Sequence, residues 1–353
     1  MTTLFAPSAK PRVFALPPGA DFCAALVAGL DARLGDAPPE AMSDVEIWLN
    51  TRRAERRLRA AFAEGPPRLL PRLRVLSDLA TDPLAPHSLP PEPPPLRSRL
   101  ALSRLVGALV DAGSMLASST AVFDLARMLE ALLEELQGEG IDPAAIADID
   151  PGPHAEHWQE SLRFLRIVID HGGAEAPRGA GRLRAAAEAW ARHWEQAPRQ
   201  TPVIVAGSTG SRGPTRAFMA AVAALPQGAV ILPGVDTGLP GTAWQRLDPD
   251  SDGAADHPQS AIARVSRDLG VEPAELPLWH DAGPSAPERN RLVSLALRPA
   301  PVTDQWRAEG AALAGTLGPA MAGLTWLTAP DPRGEARACL LYTSDAADDE
   351  YNV

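Results

Sequence analysis

The feature that most constrains this chain is an alternation that stops and then resumes. Short apolar runs at residues 12–16, 45–49 and 73–76 alternate with helical pattern, and no strand pattern then occurs from residue 97 to residue 197. The alternation restarts at 203–206 and 229–232, and a last strand is expected at 324–327. Strands that alternate with helices need helical crossovers between parallel neighbours. The pattern therefore predicts an α/β domain with a parallel sheet, split by an all-helical insertion. Asp21 is placed to cap a helix through Leu34, and an arginine-rich helix is expected from about Thr51 to Ala63.

Within the strandless stretch, Leu100, Leu102, Leu105, Val106 and Leu109 share one helical face, and Val122, Leu125, Leu129, Leu132, Leu133 and Leu136 share another. Trp158, Leu162, Leu165 and Ile169 mark a third helix, and Leu183, Ala187, Trp190 and Trp194 a fourth. A proline-rich break at 83–96 reads as a linker. The expected organisation is thus a first α/β part at 1–82, the linker, the insertion at 97–200, a second α/β part at 201–330, and the start of a further domain at 331–338. Residues 339–353, from Cys339-Leu-Leu-Tyr onward, resemble the in-frame translation of a sequencing adapter; a natural acidic tail is the other reading.

Residue counts exclude several chemistries. Of 33 basic residues Lys10 is the one lysine, preceded by Ser8-Ala9 and followed by Pro11. A P-loop needs a lysine for the β- and γ-phosphates, and Lys10 has no such context. A nuclease motif of the Asp…Glu-x-Lys type fails for the same reason. Two cysteines, Cys23 and Cys339, with no paired spacing exclude a structural zinc site or a cysteine-ligated cluster from these residues. No run of about 18 apolar residues occurs, and no secretory signal pattern opens the chain, so the cytoplasm is the expected location.

Two segments could meet an anion. Thr51, Arg52, Arg53 and Arg56 begin the arginine-rich helix, whose apolar stripe of Ala54, Leu58, Ala61 and Phe62 leaves the arginines on a broad exposed face. Cations in a first helical turn oppose the macrodipole, and a nucleic-acid backbone would offset that cost. The competing reading is a solvated face paired with Glu55 and Glu64. The formal net charge of −11 confines any such contact to a local stripe. The loop Gly207–Gly213, with Gly210 and Arg212, lies between a strand and a helix and forms a candidate phosphate loop or a tight turn. Its GxxGxxG spacing matches neither dinucleotide nor P-loop patterns. His154-x-x-His157 lacks a third ligand and reads as packing, and the aspartates at 248–256 read as a surface loop.

Several motifs stand in one order along residues 12–338. They are Pro17-Pro-Gly-Ala-Asp-Phe22, Leu49-Asn-Thr-Arg-Arg-Ala54, Leu70-Pro-Arg72, Glu156-His-Trp-Gln159 and Phe164-Leu-Arg-Ile167. Ala206-Gly-Ser-Thr-Gly-Ser211, Leu225-Pro-Gln-Gly-Ala-Val-Ile-Leu-Pro-Gly-Val-Asp236, His257-Pro-Gln259, Arg298-Pro-Ala300 and Thr303-Asp-Gln-Trp306 follow. In this order they resemble the AddB family, second subunits of the AddAB helicase–nucleases of alphaproteobacterial type. The resemblance implies a degenerate RecA-like, superfamily 1 helicase-like domain acting in DNA double-strand break repair and recombination. Its DNA-contact segment maps onto Asn50-Thr51-Arg52-Arg53, and with Arg56 of the arginine face, Thr51, Arg52 and Arg53 are the expected contacts to double-stranded DNA ends and single-stranded DNA. The P-loop position reads Pro17-Pro-Gly19 without a lysine, and the strand that would end in Asp-Glu ends in Ala206-Gly207. The resemblance thus implies no catalytic residue here, with ATP used by a partner AddA subunit. It assigns magnesium and an iron–sulfur cluster to a C-terminal nuclease beyond residue 338. Two other functions fit the residues alone: a nucleotide-binding α/β enzyme using Gly207–Gly213, and a protein-docking scaffold.

Overall fold

In the computed structural model, the structure describes residues 2–35, 37–82, 89, 91–111, 121–142, 145, 177–247, 256–281 and 283–343. Its centre is a five-stranded, all-parallel sheet. The strands are β1 (Val13–Ala15), β2 (Glu46–Leu49), β3 (Arg72–Val75), β4 (Val203–Ala206) and β5 (Gly228–Leu232), in the order β1-β5-β4-β2-β3. An isolated parallel bridge from Ala15 to Leu278 extends the sheet on the far side of β1. β2, β4 and β5 are buried along their whole length, as Ile, Val, Leu and Ala on both faces require. β3, at the edge, carries Arg72 and Arg74, which suit an unpaired margin.

Alternate residues divide the core into two layers. Ile47, Leu49, Ile204, Ala206, Ala229 and Ile231 pack under α1 (Phe22–Leu34) and α2 (Arg52–Ala63). Trp48, Val203, Val205, Val230 and Leu232 face the other way, toward residues of later helices. Trp279 closes the first layer: its indole N–H donates to the Leu26 carbonyl at 3.2 Å, and the Arg33 guanidinium lies 3.7 Å from its ring centroid. The indole lies against Gly29, where a Cβ would stand 2.5 Å from Cδ1 and 2.7 Å from Cε2. Gly29→Ala should therefore destabilise by about 1–3 kcal/mol, despite alanine's ~1 kcal/mol helical advantage. A thermal melt checks this.

Three described helices lie between β3 and β4: α3 (Pro95–Asp111), α4 (Val122–Glu139) and α5 (Gly179–Gln196). α3 packs on α4 through Val106, Ala126 and Leu129, and α5 sets Trp190 and Trp194 on the sheet face. The described α-helices between β3 and β4 are these three, and the last of them is part of the sheet's own core. After β4 come α6 (Gly213–Ala223), α7 (Gly241–Trp244), α8 (Ser260–Asp268), α9 (Pro287–Ala296), α10 (Asp304–Leu313), α11 (Leu317–Met321) and α12 (Pro332–Thr343).

Two expectations are corrected. Residues 324–327 form no strand, because none of the described residues pairs with them; Trp326 is 88% exposed, and Leu324 and Leu327 are exposed beside it. The proline-rich linker ends sooner than expected, since Pro95 already starts α3, where a missing N–H costs nothing. The helix expected at 158–169, His154 and His157, the aspartates at 248–255, and residues 344–353 lie outside the described residues.

Candidate nucleic-acid interface

Because every strand runs the same way, Ala15, Leu49, Val75, Ala206 and Leu232 bring their following loops to one edge of the sheet. In open α/β sheets that carboxyl edge is where ligands bind. Leu49 pairs with Ala206, so the arginine helix and the glycine loop leave from adjacent strand ends. Both segments singled out in the sequence therefore share one margin.

α2 begins where local chemistry predicts. The Thr51 hydroxyl accepts a hydrogen bond from the Ala54 N–H at 3.1 Å and caps the helix. Leu58 and Phe62 are buried and Ala54 and Ala61 half-buried, while Arg52, Arg53, Arg56, Arg57 and Arg59 are exposed. Arg59 pairs with Glu55 at 2.8 Å along the helix. Arg52 reaches off the helix, and its Nη2 donates to both oxygens of Asp78, at 3.0 and 2.8 Å. Arg56 makes no hydrogen bond or ion pair among the described residues and faces solvent.

The glycine loop is built differently from an open cradle. Gly207 (φ +79°) lies under the Phe22 ring and Gly210 (φ +67°) under Val265, so a side chain at either would strain the backbone and crowd its neighbour. The anion position at the start of α6 is taken from within the chain. Glu139, the last residue of α4, accepts from the Gly213 N–H at 2.8 Å and from Arg216 Nη2 at 2.7 Å. Arg216 also pairs with Asp268 at 3.1 Å. Burial alone pushes the Glu139 carboxyl up, but the Gly213 N–H, Arg216 and Arg264 outweigh it and hold it below the usual glutamate range. Among the four candidate phosphate-loop residues, Arg212 is exposed and unpaired among the described residues, whereas Gly213 is buried against Glu139.

A third loop, after β1, leaves the same edge of the sheet. Gly19 adopts φ +77° and the Asp21 carboxylate caps α1, accepting from the Ala24 N–H at 3.0 Å. A negative group already answers that helix N-terminus, so it does not fit a triphosphate. Asn290 donates to the Pro18 carbonyl at 2.7 Å, beside a cavity of about 390 Å³ lined by Pro17, Asp236, Asp281 and Arg291. β4 ends in Ala206-Gly207 and offers no carboxylate for magnesium.

Among the described residues no three His, Cys, Asp or Glu side chains come together, and no helix is long and apolar enough to cross a membrane. Cys23 is buried, and burial raises its thiol pKa, which keeps it protonated and inert. Asp78 and Glu139, which set the charge of both anion-facing segments, carry no signal in local spacing. They arrive from 26 and 74 residues away, brought in by the sheet and by the insertion. The chain matches no protein-family model and no curated protein.

Proposed function

We propose that this chain is a degenerate RecA-like, helicase-shaped body of AddB type that binds DNA during double-strand break repair and has no motor of its own. The observation that carries the reading is the coincidence, at one sheet edge, of an arginine-faced helix with a P-loop position that lacks a lysine. The strand order supports it: β1 lies beside β5, then β4, with Leu278 on its other side, an order that suits a RecA-like core. In this reading the β1 loop retains the turn while Asp21 fills the helix start, so ATP hydrolysis belongs to an AddA-type partner. The arginines of α2 contact phosphates, with Thr51, Arg52, Arg53 and Arg56 as the contact set, on duplex ends and single strands in the cytoplasm. The chain's two cysteines do not fit an iron–sulfur cluster, and magnesium-dependent nuclease chemistry finds no carboxylate set among the described residues.

Electrostatic binding of this kind weakens linearly on a logarithmic salt scale, with a slope of about 0.9 per phosphate neutralised on duplex DNA. Replacing Arg52, Arg53 and Arg56 together by Gln should weaken binding to a duplex end about tenfold or more at low salt and flatten the slope by about two to three units. Fluorescence anisotropy over a salt series measures both. An unchanged slope in the triple variant would refute contact through α2.

A further inference from the structure

We propose that Asp78 is an internal competitor for Arg52, which a nucleic-acid phosphate must displace, so that the interface answers a polyanion and discriminates against single small anions. This rests on the reading of α2 as a nucleic-acid surface and adds a residue that sets its selectivity.

The placement of Asp78 is fixed by the fold. β3 pairs with β2 in a register that sets Val75 beside Leu49, so the turn leaving β3 lies next to the start of α2. Leu76 and Leu79 bury on either side and anchor that turn in the core. The Asp78 carbonyl accepts from the Thr81 N–H at 2.9 Å and from its hydroxyl at 3.2 Å, and Ser77 Oγ donates to Asp78 Oδ1 at 3.1 Å. A rigid turn thus presents a carboxylate to a flexible guanidinium.

Both carboxylate oxygens converge on the single nitrogen Nη2 of Arg52, one of the donors an approaching phosphate would use. The Arg52 side chain is 69% exposed, and such a pair contributes little to stability. Its weight falls on whatever anion approaches. A lone phosphate gains one guanidinium and meets a neighbouring carboxylate, so little is left over. A duplex brings several phosphates at once, and contacts such as one to the unpaired Arg56, a turn along the helix, offset the displacement of Asp78. The helix's own first-turn acid, Glu55, is engaged with Arg59 and does not reach this nitrogen.

The test uses the full chain and a fluorescent DNA duplex across a salt series. Asp78→Asn should tighten binding about three- to fivefold and steepen the salt slope by about one unit. In an Arg52→Gln background the same substitution should change nothing, since the effect runs through Arg52. Inorganic phosphate should inhibit Asp78→Asn more strongly than the parent. Unchanged or weaker binding by Asp78→Asn overturns the proposal, as does a gain that persists without Arg52 or equal inhibition by phosphate. Failure of the parent itself to bind DNA removes the reading of α2 instead. Thermal melts check the fold, and Asp78→Ser serves as a second variant should the asparagine form fail to fold.

Discussion

Trp48→Ala is expected to remove about 3–5 kcal/mol of stability and to lower the melting temperature by about 10 °C. Trp48 is fully buried in the middle of β2, with Phe218 of α6 at 5.0 Å and Trp190 of α5 at 6.4 Å, both edge-on. Truncation loses the transfer free energy of the indole and leaves a cavity that three elements would have to collapse to fill. It also removes one hydrogen bond from a buried carboxylate that keeps its arginine partners. The indole N–H donates to Glu46 Oε1 at 2.8 Å, while Glu46 Oε2 accepts from Arg199 at 2.9 Å and Arg74 lies 3.5 Å away. Trp48→Phe keeps an aromatic ring but loses the donor and part of the indole, so its deficit sets an upper bound for the Glu46 bond, itself about 1.5–3 kcal/mol. Chemical denaturation of the two variants separates the contributions. A loss below about 1 kcal/mol for Trp48→Ala would contradict the packing described. Because α5 rests on this ring, the variant should also loosen the insertion, seen as faster amide exchange along 179–196.

How far the sequence could be read depends on the range of the interactions involved. Asp21 and Thr51 cap their helices through bonds three residues long, and both are legible from spacing alone. The double burial of β2, β4 and β5 shows in continuous Val, Ile, Leu and Ala, which is why a parallel sheet was expected. Strand order is not legible in that way, because β1 finds its partner in β5, more than 200 residues later. The apolar run at 324–327 shows the converse: its residues suit a strand, but a strand needs a neighbour, and none of the described residues supplies one. Site charges follow the same rule. The arginine face of α2 was visible from helical spacing, whereas the acids that balance the anion-facing segments, Asp78 and Glu139, come from turns and helices that only the folded topology brings near.

Glu139→Ala should cost about 1–2 kcal/mol, because it removes a charge-assisted acceptor shared by a backbone N–H and a guanidinium in a half-buried cluster. α4 can meet α6 so closely only through glycine: a Cβ on Gly213 would stand 2.5 Å from the Gly138 carbonyl oxygen and 2.9 Å from the Glu139 Cα. Without the carboxylate, the Gly213 N–H loses its acceptor and Arg216 keeps Asp268 and the Gly210 carbonyl, at 3.1 Å each. The pH dependence follows from the sign of the Glu139 shift. Its carboxyl is held below the ordinary value of 4.5, so the ionised form stabilises the folded chain. That contribution is complete above the unfolded value, begins to go as the pH falls through about 4.5, and is gone below the lowered folded value. Glu139→Gln, which keeps the shape without the charge, should accordingly melt well below the parent at pH 7 and close the gap as acid is added. Equal melting temperatures at pH 7, or a gap that stays constant from pH 7 to pH 3, would show that the carboxylate does not hold the insertion to the glycine loop. If the gap closes, the anion position at α6 is structural, and the proposed contact with phosphates is left to the arginines of α2.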